Sequence, residues 1–169
     1  MTARARWATG YARRVINELG ISKAPVDVVN VAARFAVQIK EEMFPDDVSG
    51  ALHRGPEHSV IAVNLAHPET RRRFTIAHEL GHFFLHRDAP AHYDPQHLVG
   101  SHFRAKVTGT MWDAREIEAN KFAAELLMPR KLVLACVRAS AELDAANLAA
   151  KFRVSPEAMT YRLAELRFV

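Results

Sequence analysis

Two histidines four residues apart with a glutamate beside the first, in the run His78-Glu79-Leu80-Gly81-His82, are the most chemically pointed feature of the chain. On a helix, residues i and i+4 project the same way. Two imidazoles can therefore meet one ion at about 2.1 Å, while Glu79 lies one step round, beside an open coordination position. That arrangement suits metal-assisted hydrolysis, with His78 and His82 as ligands of zinc, or in the cell of another divalent ion, and Glu79 as general base. With nine histidines and twelve glutamates in 169 residues, the pattern would arise by chance roughly 0.03 times. Burying three such side chains among Ile76, Leu80, Phe83 and Phe84 is costly unless each finds a partner, and one metal ion satisfies both imidazoles at once.

A catalytic zinc takes a third protein ligand. His86 is four residues past His82, but helix rise puts it about 12 Å from His78, too far to share an ion, so it reads as a supporting or helix-end residue. A metzincin would carry Gly at 85 and His at 88, where this chain has Leu85 and Asp88. The run Arg115 to Ala124 offers the missing group. Glu116 and Asn120 are four apart and share a face with Ala123, Ala124 and Leu127, whereas Glu118 lies about 200° round. Glu116 is the expected third ligand and Asn120 the group that orients a ligand imidazole. Glu118 is the alternative, because spacing alone does not set the rotation of a helix, and an acidic first turn complementing the helix dipole would explain either glutamate. For a donor to the oxyanion, His92, Tyr93, His97, His102 and Tyr161 all stay open.

These residues need elements to position them. Trp7, Tyr11, Val15 and Leu19 at spacing four predict an amphipathic helix ending near Gly20, and Pro25 predicts the opening of a second with Val28, Val31, Ala32 and Phe35 inward. Three β-like pieces follow: Val37 to Ile39, Val48 to His53, and Ser59 to Leu65. Breakers at Pro45-Asp46-Asp47 and Gly55-Pro56 suggest consecutive antiparallel pairing, the last piece being the best buried. Pro68 is placed as the first residue of the helix that carries the motif to about His86. Residues 87 to 112 lack periodicity and read as a long functional connection. Helix resumes from Asp113 to Met128, stops at Pro129, and continues through Cys136. The tail from Leu143 to Phe168 reads as helix, turn, helix, with Ser155 as N-cap before Pro156.

Composition bounds the rest. A chain that is 49% apolar and 25% charged is ordinary globular material. It shows no run of about 18 apolar residues and no leader, and one cysteine, Cys136, read as a buried helical residue, fits a reducing compartment; we expect a cytoplasmic protein with no membrane partner. A net charge of +4 and a pI near 9.5 permit an anionic partner without requiring one.

Arg73-Phe74-Thr75-Ile76-Ala77-His78-Glu79-Leu80-Gly81-His82-Phe83-Phe84-Leu85-His86, followed by Glu116-Ile117-Glu118-Ala119-Asn120-Lys121-Phe122-Ala123-Ala124-Glu125-Leu126-Leu127-Met128-Pro129, resembles the ImmA/IrrE metallo-endopeptidases. The similarity extends upstream to Pro25-Val26-Asp27-Val28 and Ser49-Gly50, so it covers roughly residues 10 to 135. The resemblance implies an α+β fold: a mostly α-helical, gluzincin- or zincin-like core with a small three-stranded antiparallel sheet. It implies a zinc peptidase that cleaves Xre-type helix-turn-helix repressors, relieving repression of phage, mobile-element or stress genes. The Glu-x-x-x-Asn spacing resembles other gluzincins and favours Glu116 over Glu118. With the sequence running to Val169, the GAF-like sensor that some relatives carry is not expected.

We divide the chain into a metallopeptidase domain, residues 1–138, and a C-terminal helical extension, 139–169, packed on it. Leu148 to Leu163 resembles a helix-turn-helix unit in which Arg153, Tyr161, Arg162 and Arg167 are placed to meet phosphates or bases. The alternative function is thus a DNA-binding transcriptional regulator that keeps the peptidase fold without cleavage; a zinc-stabilised interaction module would have no use for Glu79. Arg4, Arg6, Arg13 and Arg14 read as a solvated face.

Overall fold

The computed structural model describes residues 2–55, 57–88, 91–95, 111–140 and 143–168. Helix α1 (Ala3–Glu18) starts where the Thr2 hydroxyl accepts the Ala5 N–H. Its buried side is Ala5, Ala8, Ala12, Val15 and Ile16. Trp7, expected inward, is instead about half exposed, because the small alanine side is what allows α1 to lie close against α4. Helix α2 (Val28–Arg34) begins later than expected: Asp27, not Pro25, opens it, its carboxylate accepting the Asn30 N–H at 3.0 Å.

Strands β1 (Val37–Glu42), β2 (Val48–Arg54) and β3 (Ser59–Asn64) fall where the breakers place them. Their arrangement corrects two expectations. A fourth strand, β4 (Ala91–Pro95), joins from the stretch read as a connection, and the order is β1-β3-β2-β4. Strands β2 and β3 form the expected antiparallel hairpin, with Leu52 opposite Ile61, but β1 pairs with β3 in parallel, with Ile39 opposite Ile61. Burial explains the order. The apolar β3 takes a position paired on both sides, and β1, ending in exposed Glu41 and Glu42, takes an edge. The buried Asn64 amide fastens the link between β1 and β2 by donating to the Phe44, Pro45 and Val48 carbonyls at 3.2, 3.2 and 2.9 Å.

Helix α3 (Glu69–Leu85) carries the motif, with Pro68 as the residue before its first turn and His86 as its C-cap. It lies between β2 and β3 on one side and α4 (Met111–Leu127) on the other. Enclosure on both sides requires side chains apolar nearly all round, as the sequence has. Both contacts are close. A Cβ on Gly50 would come within 2.5 Å of the Thr75 methyl, and one on Gly81 within 2.9 Å of the Ala119 Cα.

Helices α5 (Arg130–Ala139), α6 (Ala145–Phe152) and α7 (Pro156–Glu165) complete the chain. Cys136 is partly rather than fully buried. Ser155 caps α7 as expected, accepting the Ala158 N–H at 3.1 Å. Leu148, Phe152, Met159 and Leu163 belong to the same apolar cluster as Val15, Leu80 and Phe122, so one core runs from α1 to α7. No helix among the described residues is long and apolar enough to cross a membrane.

Candidate metal centre

Helix α3 presents His78 and His82 on its α4 side, and α4 presents Glu116 to them. The Nε2 atoms of His78 and His82 are 3.0 Å apart, and each lies 3.2 Å from an oxygen of Glu116. Ligands held about 2.1 Å from one tetrahedral ion would be about 3.4 Å apart, so the cluster has the dimensions of a metal site. Its burial is nearly complete: His78 is 1%, Glu79 0%, His82 2% and Glu116 8% exposed.

The donor chemistry agrees with the dimensions. Asn120 Oδ1, an acceptor only, lies 2.9 Å from His78 Nδ1. That nitrogen therefore carries a proton, and in the neutral ring the lone pair is the one on Nε2. A lone pair and a carboxylate at such separations repel unless a proton or cation lies among them. Among the described residues, His78, His82 and Glu116 form the group of three whose donor atoms converge closely enough to hold a metal ion.

Glu118 is buried but turned elsewhere. One oxygen lies 2.9 Å from His86 Nε2 and the other 3.5 Å from the Arg4 guanidinium. His86 Nδ1 in turn lies 2.9 Å from His82 Nδ1. Burial, the largest influence, holds His86 below the ordinary histidine range, against the opposing hydrogen bond and charge of Glu118. Arg54, which the spacing of the motifs did not single out, closes the sheet side: from the end of β2 its guanidinium donates to the His82 carbonyl at 2.7 Å and sits over the Phe83 ring. Burial lowers its pKa most, and the charge of Glu79 supports its cation. The signal that was available is its place at the end of a strand that must pack on the motif helix.

The other singled-out residues are dispersed. Tyr161 lies partly buried on α7 and His92 and Tyr93 fall in β4, while His97 and His102 lie outside the described residues. Arg162, expected to face nucleic acid, is 4% exposed and points inward. It donates to the Met128 carbonyl at 3.0 Å and to Glu165 at 2.8 Å, and pairs with the buried Glu125. Arg13, expected in a solvated face, reaches the same Glu125 at 3.0 Å, because the carboxylate buried beside α1 needs a second donor. Arg153 pairs with Glu69 at the start of α3.

A helix-borne His-Glu-x-x-His motif completed by a glutamate from the next helix, beside a small sheet, defines a metallopeptidase-like domain. The chain belongs to the IrrE N-terminal-like domain family, whose model matches residues 32–164. It is 31% identical over 112 residues to the radiation response metalloprotease IrrE of Deinococcus radiodurans, a match covering 65% of this chain and 32% of that protein. Its fold is also similar to that of a Mycobacterium tuberculosis transcriptional regulator, with a TM-score of 0.68 and 21% identity over 96% of this chain and 47% of that one. The chain thus spans about a third of the curated relative and about half of the solved chain.

Proposed function

We propose that this domain is a zinc-dependent endopeptidase whose substrate is a protein, an Xre-type helix-turn-helix repressor, so that cleavage relieves repression. The observation that carries the reading is the convergence, all buried, of two imidazole Nε2 atoms from the helix that also bears Glu79 with a carboxylate from α4. The family membership and the metalloprotease named among its relatives support hydrolysis as the use of that convergence. The ImmA/IrrE resemblance supports the repressor as substrate. A cytoplasmic setting fits a chain whose one cysteine is free.

In this reading His78, His82 and Glu116 hold the ion, and Asn120 orients His78. When bound, zinc supplies Lewis acidity, polarising a carbonyl oxygen and bringing the pKa of a water toward 7. Glu79 takes a proton from the attacking water on its carboxylate oxygen and returns it to the nitrogen of the departing amine. The sheet and α4 exclude bulk water from the histidines. The buried commitment of Arg162 to Glu125, Met128 and Glu165 favours this reading over DNA binding by α7.

The test is Glu79→Gln, assayed with zinc and a purified Xre-type helix-turn-helix repressor that the wild-type chain cleaves. The variant is expected to keep its metal, measured by elemental analysis, and to lose cleavage by about 10²-fold or more. Cleavage at the wild-type rate would show that Glu79 is not the base. Salt-sensitive duplex binding that survives chelation, with no cleavage of such repressors by the wild-type chain, would favour the regulator instead.

A further inference from the structure

His86 and Glu118 are both buried, both titratable, and neither is used by the reaction just described. Together they form a chain of contacts that ends on a proposed ligand: Glu118 Oε2 to His86 Nε2 at 2.9 Å, then His86 Nδ1 to His82 Nδ1 at 2.9 Å. Its protons can be placed from hydrogen-bonding capacity and from which nitrogen of His82 faces Glu116 and His78. A carboxylate only accepts, so the proton between Glu118 and His86 resides on His86 Nε2. His82 turns its Nε2 to Glu116 and His78, so as a ligand it keeps its lone pair there and carries its proton on Nδ1, toward the lone pair of His86 Nδ1.

We propose that Glu118 and His86 are positioning residues that fix His82 in the tautomer that binds metal. Glu118 thus serves the centre through two imidazoles, not as a ligand, and His86 is a relay rather than a mere end to α3. The two ligand histidines are then held differently. His78 is anchored by a neutral amide from α4, and His82 by a histidine whose other nitrogen faces a carboxylate, an arrangement that makes His82 the stronger donor. Both anchors, Asn120 and Glu118, come from α4, the helix that also brings Glu116. The inference rests on the metal-centre reading, so its test includes a measurement on the metal-free chain.

The measurements are the affinity for zinc alone, by competition with a chromophoric chelator, and the tautomer of His82 in metal-free protein, from imidazole ¹⁵N chemical shifts. In the wild type His82 is expected with its proton on Nδ1. His86→Leu removes the acceptor and should lower zinc affinity about 10- to 100-fold while shifting His82 toward the other tautomer. His86→Asn places an amide oxygen near the lost Nδ1 and should restore most of the affinity. Glu118→Gln, a near-isostere, should weaken binding in the same sense as His86→Leu but by less. Unchanged affinity and tautomer in His86→Leu would overturn the proposal. Equal losses in His86→Leu and His86→Asn would overturn it too, since they would mean that the histidine only fills space. If the wild-type chain bound no zinc, the metal-centre reading would fail while the tautomer measurement still decided the relay.

Discussion

At the scale of single residues the proposed centre would separate groups that meet an ion from groups that aim them. Glu116 supplies both its oxygens to the histidine pair, whereas Asn120 touches only the far nitrogen of His78. Removing an aiming group costs about 10- to 100-fold in metal affinity, and removing a ligand costs more. Asn120→Ala should therefore fall in that range and Glu116→Ala beyond it, both read by chelator competition; a reversed order would mean that the third ligand is misassigned. That His78 and His82 share a face, and that Glu116 and Asn120 share one, was legible from the helix period, whereas the meeting of Glu116 rather than Glu118 with the two histidines depends on how α3 and α4 dock. The contact of Glu118 was not legible, since its partner His86 lies 32 positions away in sequence and the meeting depends on how two helices dock. Arg54 was hidden for the same reason, its partner being a backbone carbonyl that no side-chain pattern announces.

Among the elements, the decisive relation is the close packing of α3 on α4. A Cβ at Gly81 would lie 2.9, 3.0 and 3.2 Å from the Ala119 Cα, O and Cβ atoms, and the first two are backbone that cannot swing aside. Opposite effects compete in Gly81→Ala. Helix propensity favours alanine by about 1 kcal/mol, and overpacking costs about 1–3 kcal/mol. Backbone contact under 3 Å puts the second term ahead, so the substitution is expected to destabilise the metal-free protein in urea unfolding and to weaken zinc binding by moving Glu116 away from His82. A gain in stability would show that the helices are free to separate. The sheet teaches a related lesson. Turn residues placed the strands correctly, yet the parallel pairing of β1 with β3 was not legible, because pairing follows from which strand is apolar on both faces and must be central, a property of the assembled layer.

Over the whole molecule, the last two helices close the core that the motif helix occupies. Leu148, Phe152, Met159 and Leu163 are at most 6% exposed and belong to its apolar cluster. The buried carboxylate of Glu125 on α4 is held by Arg162 from α7 and Arg13 from α1, tying three helices through one charge. Replacing an ion pair of this kind by apolar side chains of equal volume can be neutral, but removing one partner leaves the other charge buried and costs about 3–5 kcal/mol. Arg162→Ala is therefore expected to remove that much from a total stability of about 5–15 kcal/mol. Arg13, half exposed, cannot replace the Arg162 contacts with the Met128 carbonyl and Glu165. The double variant Arg162→Met with Glu125→Leu should recover most of the loss, because no charge is left both buried and unpaired: Arg13 is half exposed and Glu165 keeps Lys121. Urea unfolding of the two proteins checks both expectations. A surface role for Arg162 in holding DNA predicts the contrary pattern: unfolding unchanged in Arg162→Ala, with duplex affinity reduced.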